Sequence, residues 1–74
     1  MFKLHFNEND SYAFPGEDFY FTTAEEAETF ARTVTADYEA EIYEDYEMTL
    51  DEYFEEVSPW WIEKVTTTTN VIYR

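Results

Sequence analysis

Fifteen of the eighteen acidic side chains in this 74-residue chain fall between Glu17 and Glu56, and Arg32 is the only basic residue among them. Carboxylates at that density can do three kinds of chemistry. A pair can divide general acid and base work, as in glycoside hydrolysis; several can ligate Mg²⁺ or Ca²⁺; a regular row can stand in for the phosphates of a nucleic acid. The first two need features this chain lacks. There is no D-x-[DN]-x-[DN]-G calcium loop, and the lone glycine, Gly16, lies far in sequence from the dense acidic run of 39–56. A chain this short also seldom encloses a substrate pocket. His5 is the only histidine and there is no cysteine, so no Ser-His-Asp or thiol nucleophile assembles and thiolate metal sites are excluded. The expectation is a protein without catalytic residues, metal ligands or cofactors.

The phosphate-like row depends on spacing. From Thr35 to Met48 polarity alternates with period two: Tyr38, Ala40 and Ile42 share one side, and Glu39, Glu41, Tyr43, Asp45 and Glu47 the other. That pattern predicts a strand with carboxylates about 6.7 Å apart on its outer face, against one phosphate per about 3.4 Å along a nucleic-acid strand. Immediately after it, Thr49 and Glu52 have the spacing of a capping box. Leu50, Tyr53, Phe54 and Val57 then follow at helical intervals, which places Asp51, Glu52, Glu55 and Glu56 on the opposite, solvated face. The Asp51/Glu55 and Glu52/Glu56 pairs each cost a few tenths of a kcal/mol through like-charge repulsion, and ordinary surfaces mix signs rather than stacking one. These eight acids, with Tyr43 inside the row and Trp60 from the adjacent Trp60-Trp61 pair as aromatic anchors, form the candidate partner-binding surface.

The remaining elements frame that surface. Phe2, Leu4 and Phe6 alternate with Lys3 and His5, the pattern of a half-buried strand, and Asp18 to Thr22 reads as a second, with Phe19 and Phe21 inward. The two suit a hairpin with a long loop around Phe14-Pro15-Gly16. Thr23 with Glu26 is another capping box, and Ala27, Phe30, Ala31 and Val34 continue it as a helix from about Ala24 to Thr33, with Phe30 as anchor. Ser58-Pro59 offers a fresh helix start, so 60–65 reads as a helical turn, which would send the two indoles about 100° apart and leave one partly exposed. Four threonines and the segment through Tyr73 close the chain as a β-prone strand. The expected fold is α+β over 1–74 as a single domain, a mostly antiparallel sheet of about four strands with two or three helices in the order ββαβαβ.

A net charge of −14 warns of disorder when apolar content is low, but here aromatics make up 22% of the residues, and each can bury 150–250 Å². Self-repulsion nevertheless works against the folded state. The N-terminus is too short and too alternating for a signal peptide, and no apolar run approaches a membrane span. The charge sign argues against direct contact with nucleic acid or anionic membranes. A basic protein is the natural partner, and a homodimer through the last strand's edge is compatible with the pattern.

In size, acidity, lack of cysteine and mixed α/β pattern the chain resembles the small phage-encoded anti-defence proteins, the anti-CRISPR proteins and anti-restriction DNA mimics. The likeness is one of overall character and transfers no residue roles. It implies a stoichiometric inhibitor acting in the cytoplasm of a bacterial host on the basic nucleic-acid-binding surface of a CRISPR effector or restriction enzyme. Two other classes fit the same composition: an immunity protein or antitoxin that neutralises a basic nuclease, and an adaptor domain whose acidity serves solubility.

Overall fold

A computed structural model describes residues 1–65, and the final strand expected over 66–73 lies outside them. The elements run β1 (Phe2–Phe6), β2 (Asp18–Phe21), α1 (Ala24–Ala36), α2 (Glu39–Tyr46), α3 (Leu50–Glu56) and β3 (Trp60–Lys64). The architecture is α+β: one antiparallel sheet in the order β2-β1-β3, with α1 packed across one face. β1 and β2 form the expected long-looped pair, with Leu4 opposite Phe19 and His5 opposite Asp18.

The inward face of the sheet carries Leu4, Phe6, Phe19, Phe21, Trp60 and Ile62, packed against α1. Ala27 and Ala31 are completely buried, and with only a methyl group at each, the α1 backbone can sit close to the strands. Phe30 is the hub, its ring 5.1–6.4 Å from those of Phe6, Phe14, Phe19 and Phe21, a separation typical of favourable aromatic pairs. The Thr23 capping box is complete, and α1 runs through Ala36, one turn beyond the expected end, with Thr35 buried.

Two elements differ from the sequence expectation. The segment read as an acidic strand over 35–48 is the end of α1 followed by helix α2. Tyr38, Ile42 and Tyr46 stand at i, i+4 and i+8, which is helical spacing as well as even spacing, and Ala40 decides between the two readings because it is exposed while Ile42 is fully buried. Glu and Ala favour helix over strand. The helix ends were hidden because Tyr38 offers no side-chain cap and the terminating left-handed position, φ 58°, is filled by Glu47 where glycine or asparagine is usual.

The helical turn expected over 60–65 is strand β3. Ser58 adopts a positive φ of 53°, which turns the chain before the proline instead of starting a helix. The aromatic and β-branched run Trp60-Trp61-Ile62 then takes its preferred extended form. Asn7 N–H donates to the Pro59 carbonyl at 2.8 Å and Val65 N–H to the Met1 carbonyl at 2.9 Å, closing the ladder at both ends. Alternation, rather than a helical 100° step, sends Trp60 inward and Trp61 outward.

The helical assignment of α2 makes a direct demand on stability. Ile42→Ala should cost about 2–5 kcal/mol in urea unfolding, and Ala40→Gln no more than about 0.5 kcal/mol; equal losses at the two positions would restore the strand reading.

Candidate protein-interaction surface

In a helix, residues two apart point about 200° apart, so the single row of carboxylates expected from a strand is divided. Glu39 and Tyr43 lie along one side of α2, Glu41 with Asp45 along another, and Glu47 follows the helix in the left-handed conformation. The acids themselves stay on the surface. Glu39, Glu41, Glu44, Asp45 and Glu47 in or beside α2, and Asp51, Glu52, Glu55 and Glu56 in α3, are all exposed, and no Lys or Arg lies between Glu39 and Glu56.

Helix ends explain part of this charge. Glu39, Glu41, Asp51 and Glu52 sit in first turns, where the positive end of the helix dipole favours them. Glu44, Asp45, Glu55 and Glu56 sit toward the opposite ends, where no basic residue stands in the last turn and the dipole disfavours anions. The Glu41/Asp45, Asp51/Glu55 and Glu52/Glu56 pairs add like-charge repulsion at i, i+4. Local helix stability does not account for Glu44, Glu55 and Glu56.

Two of the candidate binding residues have structural work. Asp45 accepts a hydrogen bond from the Tyr12 hydroxyl at 2.5 Å, fastening the loop after β1 to α2. Glu52 accepts from the Thr49 backbone N–H at 2.9 Å, while its own N–H donates to Thr49 Oγ1 at 3.3 Å, so it holds the start of α3. Asp51 and Glu55 line a groove with Arg32 and Phe54, where the guanidinium lies 5.1 Å from the Phe54 ring centre and pairs with Glu28 at 2.9 Å. Trp60 is half-buried, its ring packing on Phe54 at 4.9 Å on the inward face, and the more exposed of the two indoles is Trp61. Tyr43 is 63% exposed, the most of any large hydrophobic side chain among the described residues.

A tyrosine cluster fixes the acidic helices from beneath. Tyr53 is completely buried, its hydroxyl donates to the Asp10 carbonyl, and the rings of Tyr12, Tyr46 and Tyr53 lie 5.3–6.3 Å apart. Burial first, then the neighbouring Tyr46 and Asp10, pushes the Tyr53 phenol up to about 12 from its ordinary 10.0. Burial and the Asp45 carboxylate raise Tyr12 as well.

On the outward face of the sheet charges of both signs meet instead, an arrangement the sequence reading did not assemble. Lys3 reaches Asp18 at 3.6 Å, and the two ring nitrogens of His5 lie 3.0 Å from Asp18 and 2.9 Å from Glu63. The His5 ring stacks on Trp61, centres 3.9 Å apart and planes 10° from parallel. Burial, which lowers the Lys3 pKa, is outweighed by Tyr20 and Asp18, which raise it. The Lys3/His5 alternation was visible in the sequence, but its register against Asp18 was not, and Trp61 and Glu63 could join that face only once β3 was recognised as a strand. Among the described residues no three His, Asp or Glu side chains converge to hold a metal ion, and no helix is long and apolar enough to cross a membrane.

No protein-family model, curated protein or solved structure matches the chain.

The raised phenols set an alkaline limit. Their folded pKa values exceed the unfolded value, so the stability they contribute is complete below about pH 10 and is lost as pH rises through about 12. Phenolate absorbance should show late-titrating tyrosines that revert to ordinary titration when the fold is disrupted by urea. A single titration step for all tyrosines in the folded protein would contradict the buried cluster.

Proposed function

We propose that the chain is a stoichiometric protein inhibitor that occupies the positively charged nucleic-acid-binding surface of a larger protein, with α2 and α3 presenting carboxylates in place of phosphates. The observation that carries this reading is the uninterrupted acidity from Glu39 to Glu56, exposed on two short helices and partly unfavourable to their stability. Carboxylates four residues apart on a helix are separated by about 6 Å along its axis, close to every second phosphate of a nucleic-acid strand. A CRISPR effector or restriction enzyme in a bacterial cytoplasm is the target class that fits such a surface. No bond-making chemistry is required. Clustered charge accelerates encounter with a basic groove, and exposed aromatic side chains supply short-range contact that slows release.

The test is a tagged pull-down from bacterial lysate, eluted with a salt gradient and repeated with excess duplex DNA or RNA as competitor. A nucleic-acid enzyme displaced by the competitor is the expected result, whereas a nuclease that the competitor leaves bound would favour the immunity-protein alternative. The discriminating variant replaces Glu39, Glu41, Glu44 and Glu47 with Gln and spares Asp45 and Glu52, which hold the fold. Relief of like-charge pairs, a few tenths of a kcal/mol each, offsets the dipole attraction lost at Glu39 and Glu41, so stability should change by no more than about 1 kcal/mol, while capture weakens at least about tenfold, the 1.4 kcal/mol equivalent of losing a charged contact or two. Undiminished capture would reduce the acidity to a solubility feature.

A further inference from the structure

The turn between α2 and α3 is short: Glu47 in the left-handed conformation, then Met48, then Thr49 as the cap of α3. It leaves an open groove of about 350 Å³ lined by Glu39, Ala40, Tyr43, Met48 and Thr49. The methyl of Ala40, the Tyr43 ring and the Met48 thioether give the groove apolar walls. Glu39, four residues before Tyr43 and therefore on the same side of the helix, puts a carboxylate at its rim. Among the described residues neither the Glu39 carboxylate nor the Tyr43 hydroxyl has a hydrogen-bond or ion-pair partner.

The same molecule shows what completes such an arrangement. In a second groove, between α1 and α3, an aromatic ring, flanking carboxylates and a cation occur together: Arg32 lies over Phe54 and is bonded to Glu28, with Asp51 and Glu55 lining the same groove. Beside α2 the ring and the carboxylate are present, and neither α2 nor α3 contains a Lys or Arg to complete the set.

We infer that the groove at Tyr43 receives an arginine side chain from the basic partner, its methylene stem along Ala40 and Met48, its guanidinium over the Tyr43 ring and paired with Glu39. This rests on the reading of α2 and α3 as a surface for a basic protein and names the residue that surface selects. Arginine suits the groove better than lysine because the guanidinium is planar, weakly hydrated, able to stack on a ring and able to bond a carboxylate through two N–H groups. A lysine ammonium is a compact, strongly hydrated charge that would answer the carboxylate but gain less from the apolar walls. A second copy of this chain is a poor occupant, since it brings another −14 of charge.

The experiment is an NMR titration of the isotopically labelled protein at low salt with two probes of equal charge, hexa-arginine and hexa-lysine peptides. Hexa-arginine should bind about three- to fivefold more tightly, with the largest shifts at Ala40, Tyr43 and Met48. Tyr43→Ala should abolish that preference and Tyr43→Phe should keep it, because the ring face and not the hydroxyl is used; the side chain is exposed, so both variants retain the fold. Equal affinities, with shifts spread over α2 and α3, would overturn the arginine site while leaving the acidic surface as a cation-binding face. Failure of both peptides to bind would overturn the site together with the reading it rests on.

Discussion

One buried phenol ties the acidic helices to the loop after β1. Tyr53 sits in the middle of α3 with no exposed surface, donates its hydroxyl hydrogen to the Asp10 carbonyl, and packs against Tyr12, Tyr46 and Phe54. Tyr12, two residues after Asp10, returns the connection by bonding Asp45 of α2. The loop after β1 is thus held by both acidic helices, and the sheet extends from that loop. Helices of eight and seven residues are too short to be stable alone in water, and these two carry like charges that repel. Aromatic burial beneath them is the term that opposes the repulsion, which explains why a chain this acidic invests so heavily in tyrosine.

The same constraint sorts the charges. On the outward face of the sheet, Lys3 and His5 meet Asp18 and Glu63 at 2.9–3.6 Å, and Arg32 is engaged with Glu28 on α1. Among the described residues the cations therefore stand on the sheet and on α1, and α2 and α3 contain no Lys or Arg. Exposed pairs of this kind add little stability. Their larger effect is on the field, which is partly cancelled over the sheet and undiminished over α2 and α3, giving the molecule an electrostatic direction.

Much of the sheet and α1 was legible in the sequence because local signals agreed there. Alternation defined β1 and β2, and the Thr23 and Thr49 capping boxes located α1 and α3 to within a residue at their starts. α2 was misread because Tyr38 and Ile42 satisfy a period of two and a period of four at once, and because neither of its ends carries a recognisable cap. β3 was misread because Ser58-Pro59 is a helix-start signal that a positive φ at Ser58 cancels, a tertiary choice with no local marker. Of the candidate surface, the exposed acids and Tyr43 were recoverable from composition and spacing. The structural duties of Asp45 and Glu52 differ in kind: the Thr49/Glu52 box was visible, but the Tyr12 to Asp45 bond spans 33 residues and appears only when the loop is folded against the helix.

That α2 is a helix and not a strand changes what an acidic surface can do. A strand would present one straight row of carboxylates, a shape that any extended cationic segment could match. Two short helices joined by a tight turn present carboxylates at several angles around a groove with apolar walls, so approach and fit fall to different groups. The unpaired carboxylates act at a distance, comparable to the Debye length of about 8–10 Å at physiological salt, and favour any basic partner. Tyr43, Ala40 and Met48 line the groove, and apolar walls of this kind act only in contact and depend on the shape of what enters. On the proposed reading, net charge would set how often a basic partner is met and the groove beside Tyr43 which of them is held, because contact selectivity in so acidic a surface can come only from the few places where its charge is interrupted by an aromatic ring.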